Sequence, residues 1–252
     1  MSDSDPLDAF SDKLIPEQEM LTNLAYWFPI LDTIGMRVPK TIIIHRGNCE
    51  ISGIMEGEEL DCIRMFIKHI LEAMDEIGYP CFFRTGMLSD KFSWKDTCFV
   101  EKKPTIKELN ARIGRLIETS HMANIAGRPV NYDYWAVREM IPTSPVVHYF
   151  NDMPIAMEAR AFINNGKIQC IHPYWVEDSF KNAEEDVIEK AKTLQSIPKH
   201  LQKELIQMVN YIAKYFKGYW SVDMLLDRDE QWWCTDMAVG ERSYHLPTCD
   251  HA

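Results

Sequence analysis

No stretch of the chain approaches the roughly 20 consecutive apolar residues that a bilayer-spanning helix needs. The opening MSDSDPLDAFSDK is acidic and polar, and it has the character of neither a secretory signal nor a transit peptide. CxxC pairs are lacking too. Seven cysteines (Cys49, Cys62, Cys81, Cys98, Cys170, Cys234, Cys249) are scattered along the chain. That spacing favours free thiols in a reducing, cytoplasmic compartment. In the tail YHLPTCDH, His245, Cys249 and His251 stand close together. No fourth zinc ligand follows at a recognised spacing, so free thiols remain the preferred reading there as well. Positive charge is in short supply: 27 Lys and Arg face 38 Asp and Glu, a net charge of −11. Such a surface disfavours non-specific binding to nucleic acid or to an anionic membrane, while leaving room for a local basic pocket. There is no GxxxxGK[ST] loop, no internal repeat and no low-complexity tract.

What is present is an ample supply of core. Hydrophobic residues make up 46% of 252, enough for one large domain or two small lobes around a cleft. The pattern predicts a helix over 18–35 and a strand at Thr41–Ile44. Residues 58–77 place Leu60, Ile63, Ile67, Ile70, Leu71, Met74 and Ile77 on one helical face, with Gly78 and Tyr79-Pro80 as the stop. CFFRTG and TCFVE read as strands around a polar stretch. Thr105 and Glu108 form a capping box that opens a further helix. YWAVREMI (134–141) reads as a strand. MEARAFI and KIQCIH read as a hairpin turned at Asn164-Asn165-Gly166. Helices follow at about 183–195 and 198–217, then a last hairpin, Tyr219–Leu226 with Gln231–Asp236. Hairpins outnumber crossovers, which gives an α+β fold with largely antiparallel sheets in two lobes.

The last hairpin carries a puzzle, because each of its strands holds an aspartate. Alternation puts Trp220, Val222, Met224 and Leu226 on a core face and Tyr219, Ser221, Asp223 and Leu225 on the other. With the turn centred on Asp227–Glu230, Asp223 lies opposite Cys234, and Asp236 is a diagonal neighbour at roughly 7–8 Å. Two carboxylates that close either sit on a solvated face or share a cation such as Mg²⁺, which takes one or two carboxylates and fills its shell with water and phosphate oxygens. Cations for phosphates are available between CFF and CFV: Arg84, Ser89, Lys91, Ser93 and Lys95 lie in a polar stretch suited to a flap over a triphosphate. A solvated hairpin turn is the plainer alternative. Glu158 and Arg160 share a strand face with Phe162, either as an ion pair or as a phosphate clamp beside a ribose- or metal-orienting carboxylate. Tyr174, Trp175, Trp232 and Trp233 read mostly as core, and His172 as a structural histidine.

Taken in order, these parts resemble the ATP-grasp superfamily across residues 25–245. RVPKTIII resembles the proline-led strand of its N-terminal domain. Arg84 stands where the family has its first nucleotide-binding Lys or Arg, and 85–95 where it has the phosphate loop. Arg138-Glu139-Met140-Ile141 resembles the hinge at the adenine edge, Glu158 and Arg160 the E-x-R strand, and Asp223 and Asp236 the metal-binding acids. Ser93-Trp94-Lys95-Asp96 and the Asp223/Asp227 spacing are similar to the branch that includes the cell-division-cycle assembly chaperone of translation initiation factor 2. Small ATP-grasp proteins of bacteria and their viruses look similar too. The resemblance implies a nucleotide cleft between two lobes, with 1–80 as an N-terminal segment, 81–136 as a small lobe with the phosphate loop and 137–252 as the lobe with the metal site.

It implies ATP and Mg²⁺ as cofactors. Asp223 and Asp236 would hold the metal. Arg84, Ser89, Lys91, Ser93 and Lys95 would hold phosphates, Glu158 would orient the nucleotide, and Glu139, Met140 and Ile141 would frame the adenine. Arg160 and Lys91 would act on the transferring group. A second substrate would enter near Arg242, Tyr244 and His245. The implied activity is carboxylate–amine or carboxylate–thiol ligation through an acylphosphate. Nucleotide-dependent assembly of a protein partner and phosphoryl or nucleotidyl transfer are the alternatives. One departure stands out: the family's Asn two residues after the last acid is Ala238 here. That leaves Glu241 or Ser243 as substitutes, or a single ion.

Overall fold

The computed structural model describes residues 20–58, 60–246 and 249–250. The N-terminal stretch to residue 19, the first two residues of the expected 18–35 helix, and His251 lie outside the described residues. In chain order the elements are α1 (Leu24–Thr33), β1 (Thr41–His45), α2 (Gly53–Glu56), α3 (Asp61–Ile77), β2 (Cys81–Thr85), β3 (Phe99–Val100), α4 (Ile106–Ile125) and β4 (Tyr134–Glu139). There follow β5 (Val147–Tyr149), β6 (Met153–Ile155), β7 (Glu158–Asn164), β8 (Lys167–Pro173), α5 (Glu185–Ala191), α6 (Lys199–Ala213), β9 (Tyr219–Leu226) and β10 (Trp232–Val239).

Two four-stranded sheets result, β1-β4-β2-β3 and β10-β9-β7-β8, with the small β5-β6 ribbon between them in sequence. Every paired strand is antiparallel. The α+β, two-lobed architecture read from the hairpins is the observed one. The capping box at Thr105 and Glu108 closes reciprocally at the start of α4. The β7–β8 turn has positive φ at both Asn165 (47°) and Gly166 (85°), the backbone that a two-residue type I′ hairpin requires.

Alternation sorts each sheet into a packed face and a cleft face. In the first sheet, Cys81, Phe83, Trp135, Val137 and Ile44 pack into one core with Ile63, Ile67 and Ile70 of α3 and Leu109, Ile113 and Leu116 of α4. Phe82, Arg84 and Arg138 point the other way. In the second sheet, Ala159, Ala161, Ile163, Trp220, Val222 and Met224 pack with Leu205, Val209 and Ile212 of α6 and with α1. Glu158, Arg160, Phe162, Ser221 and Asp223 occupy the opposite face.

Two expectations are corrected here. The cysteines are not all free: Cys49 and Cys62 form a disulfide, with Cα atoms 5.5 Å apart and a sequence separation of 13. The turn through α2 folds the chain back so that Cys62, in the first turn of α3, meets Cys49, a contact invisible in the spacing. The register of the last hairpin also differs. A β-bulge between Cys234 and Asp236 makes Met224 the partner of Cys234 and pairs Asp236 directly with Asp223. Cys234 therefore faces the core, fully buried, and the bulge switches Asp236 back to the cleft face.

Candidate functional site

The two cleft faces enclose a cavity of about 220 Å³ lined from both sheets. On the first sheet, Arg84 is nearly inaccessible, donates Nε–H to the Thr85 carbonyl (3.0 Å) and sets Nη1 3.0 Å from Asp236 Oδ2 on the second. Arg138 lies on the same face. Its Nε–H reaches Thr41 Oγ1 (3.0 Å), and Nη1 donates to the Thr235 carbonyl (2.6 Å). The bulge supplies that acceptor. Nη2 of Arg138 is buried with no hydrogen-bond partner among the described residues. Burial, aided by repulsion from Arg84, pushes the Arg138 guanidinium down to about 10. A buried, unsatisfied guanidinium nitrogen in a cavity wall is a donor without its acceptor.

On the second sheet, Arg160 grips Asp223 with both forks, Nε to Oδ1 at 2.7 Å and Nη2 to Oδ2 at 2.8 Å, and its guanidinium lies 4.6 Å from the centre of the Tyr174 ring. Burial opposes its charge, but Asp223 outweighs burial and raises its pKa. Lys91 reaches in from the loop between β2 and β3. Its Nζ is 3.5 Å from Glu158 Oε2 and 4.1 Å from the centre of the Tyr174 ring. Burial would discharge this lysine, yet Glu158 with Tyr174 and Asp223 more than offsets it and the pKa is raised. Glu158 also accepts from Trp175 Nε1 at 3.1 Å. Burial raises its carboxyl pKa, with Lys91 pulling the other way.

The strand containing 134–141 ends at Glu139, so Met140 and Ile141 continue along the cavity wall without ladder partners. Glu139 Oε1 accepts from the Lys40 backbone N–H at 2.7 Å. Ten of the twelve residues singled out from sequence thus line one cavity: Arg84, Ser89, Lys91, Glu139, Met140, Ile141, Glu158, Arg160, Asp223 and Asp236. Ser93 and Lys95 do not. Ser93 closes a short 3₁₀ turn whose carbonyl accepts from Asp96 and Thr97. Lys95 pairs on the surface with Asp152 at 2.6 Å.

The loop is tied at its start, where Thr85 and Leu88 exchange hydrogen bonds. Gly86 sits so close to Asn23 that a Cβ would meet its Oδ1 at 2.3 Å. Asp227 points into its own turn, accepting from Asp229 N, Gln231 N and Trp233 Nε1. Ser243 bonds Ser221 Oγ (2.5 Å), and Glu241 is exposed. Neither lines the cavity.

Sequence reasoning missed Phe82, Thr143, Met153, Pro154, Leu225 and Thr235 in the wall. Phe82 and Leu225 were readable, since each lies two residues from a named cleft residue on the same strand face. Tyr174, grouped with core aromatics, is half-buried in the cavity wall.

A cleft between two antiparallel sheets, with arginines on both walls and paired acids on one hairpin, places the chain in a two-lobed α+β class of fold. The chain has the ATP-grasp fold. Among solved structures it is similar to C-terminally truncated Cdc123 from Schizosaccharomyces pombe, with 14% identity, 90% of this chain and 87% of that one covered, and a TM-score of 0.54. The Cdc123 structure from the same organism gives 14% identity, 90% and 86% coverage and a TM-score of 0.52. D-alanine–D-alanine ligase from Bacillus anthracis complexed with ATP gives 14% identity and a TM-score of 0.48. That alignment covers 88% of this chain, which spans only 54% of the ligase. No protein-family model and no curated protein matches the sequence. Among the described residues no helix is long and apolar enough to cross a membrane.

Proposed function

We propose that the cavity binds Mg–ATP and that the protein is an ATP-dependent ligase joining a carboxylate to an amine or thiol through an acylphosphate. The observation that carries this reading is the wall of buried and half-buried cations meeting paired carboxylates. Arg84, Arg138, Arg160 and Lys91 converge on a cavity whose acids, among the described residues, are Asp223, Asp236, Glu158 and Glu139. Phosphoryl transfer needs little more than positioning and charge neutralisation, and no protein nucleophile. The donor set suits Mg²⁺: two carboxylates face each other across β9 and β10, the hard oxygen ligands this ion takes alongside water and phosphate. Bound there, the ion would neutralise phosphate charge.

Arg84 and Arg138 would hold phosphate oxygens, the unpartnered Nη2 of Arg138 gaining an acceptor. Lys91 and Arg160 would move from Glu158 and Asp223 onto the transferring group. Glu158, released from Lys91, would orient the nucleotide. Met140 and Ile141, outside any ladder, would offer backbone groups to the adenine edge. In this reading 81–136 and 137–252 are the lobes that meet over the nucleotide, with 1–80 as the preceding segment. Ser89, the loop serine that lines the cavity, would offer its hydroxyl to phosphates, with Ser93 and Lys95 joining only if the loop shifts inward. The cavity is smaller than the roughly 300–1,000 Å³ usual for a ligand pocket, so nucleotide entry parts the Lys91–Glu158 and Arg160–Asp223 pairs.

A second reading, nucleotide-dependent protein assembly without ligation, is favoured by Ala238. It carries no ligand atom where the superfamily has an Asn, and its register partner Ser221 is bonded to Ser243. The test is product analysis with Mg–ATP, a mixture of carboxylates and hydroxylamine. ADP with a hydroxamate is expected. AMP with pyrophosphate marks nucleotidyl transfer instead. Nucleotide binding without turnover marks the assembly reading.

A further inference from the structure

Away from the phosphate-binding end, the cleft face of the second sheet carries a cluster that the nucleotide chemistry does not use. Cys170 and His172 alternate on edge strand β8 and so point to the same side. His245 and Cys249 come from the segment after β10. One ligand atom from each of the four lies within 4.8 Å of every other. Cys170 Sγ is 3.0 Å from His245 Nε2, which is 3.1 Å from His172 Nε2, and the two thiols are hydrogen-bonded to each other. We propose that Cys170, His172, His245 and Cys249 form a tetrahedral Zn²⁺ site that fastens the C-terminal segment to β8.

The geometry is close to what the ion needs. Zinc–sulfur and zinc–nitrogen bonds of about 2.3 and 2.0–2.1 Å put tetrahedral ligand atoms roughly 3.3–3.8 Å apart, so the cluster needs only small adjustments. Two thiolates and two neutral imidazoles cancel the charge of a divalent cation, which suits four half-buried residues. Sulfur with imidazole selects zinc over Mg²⁺ or Ca²⁺.

The tautomer is prepared as well. His245 Nδ1 lies 3.4 Å from the Tyr219 hydroxyl, leaving Nε2 directed at the cluster, and its ring stacks on Phe162 with centroids 4.0 Å apart. Tyr219 and Phe162 orient the ligand from outside, as the surroundings of bound zinc generally do. Two imidazole Nε2 atoms 3.1 Å apart share at most one proton between two lone pairs, whereas a cation engages both. His172 is also the register partner of Arg160, whose Nη1 is 3.5 Å from the Tyr244 carbonyl. The zinc therefore sets the position of the segment that borders Arg160. The pattern is C-x-H on a strand and H-x₃-C in the tail. Cys170 and His245 are 75 residues apart in the chain, so no local spacing reveals it.

The test is metal analysis of the full chain purified with reductant and without chelator, followed by Co²⁺ titration of the chelator-stripped protein. The expected results are about one zinc per chain, and with cobalt a thiolate-to-metal charge-transfer band together with tetrahedral d–d bands. Cys249→Ser and His172→Ala should each lose the zinc and the charge-transfer or tetrahedral signature. Asp236→Asn, in the other metal-binding region, should retain both. If a ligand variant fails to fold, a chelator-induced drop in the melting temperature of the wild type, reversed by Zn²⁺ and not by Mg²⁺, makes the same point. Absence of zinc with no cobalt spectrum, zinc retained by Cys249→Ser, or a Cys170–Cys249 disulfide that persists in protein purified with reductant would each overturn the proposal.

Discussion

Arg84 of β2 and Asp236 of β10 meet at 3.0 Å across the cleft, an ion pair that joins the two sheets directly. The arginine is buried and the aspartate about one-third exposed. The pair therefore combines two roles: it neutralises a guanidinium that cannot reach bulk water, and it keeps a carboxylate at the cavity wall. Asp236→Asn should cost about 1–3 kcal/mol, because it strands a buried charge. Arg84→Met combined with Asp236→Asn should recover part of that loss. Urea midpoints of the single and double variants check this, and strict additivity would contradict a coupled pair.

Burial raises the carboxyl of Glu158 above its ordinary value of 4.5. Between 4.5 and the raised value the folded chain holds a proton that the unfolded chain has released. This group's contribution to stability is therefore fully present at acid pH and is lost as pH rises through that window. Wild type should lose ground to Glu158→Gln as the pH is raised from below 4.5 through the raised value. A gap between the two proteins that does not change with pH would contradict the assignment.

The bulge at Thr235 frees the carbonyl that accepts from Arg138. Deleting Thr235 should regularise the ladder, keep Asp236 on the cleft face and leave Arg138 with a second unsatisfied donor. The expected loss is about 1–3 kcal/mol, read from chemical denaturation. Unchanged stability would mean that Arg138 has another acceptor within reach.

Arg160 holds Asp223 with two parallel bonds, and a lysine cannot reproduce that fork. In the ligase reading Arg160→Lys should lower ATP turnover about tenfold or more while leaving the apparent affinity for ATP nearly unchanged. A change confined to KM would place Arg160 in ground-state binding instead.

Much of this was legible in the sequence because it is governed by local period. The alternation in SVDMLL and MEARAF decided which side chains could face a cleft, and the capping box at Thr105 and the Asn165-Gly166 turn are short-range signals. The bulge between Cys234 and Asp236 was not legible. It adds one residue to one strand, and nothing in WWCTDM marks where. The diagonal placement of the two aspartates was therefore wrong in register, though right in the face they share. Lys95 and Ser93 read as loop cations and hydroxyls, yet the αL backbone at Asp90 and the 3₁₀ turn that follows point them away. The Cys49–Cys62 disulfide and the Cys170/His172/His245/Cys249 cluster depend on tertiary folding of segments whose spacing matches no short motif.

The most direct test of the account is thermal melting with and without Mg–ATP, on wild type and on Asp236→Asn. A ligand at about 100 times its Kd adds roughly 2.7 kcal/mol, which for a chain of this size raises the midpoint by about 5–10 °C. The account predicts that rise for the wild type only when magnesium is present, and its loss in Asp236→Asn. No shift with any nucleotide, or an equal shift in the variant, would contradict a nucleotide site built on Asp223 and Asp236.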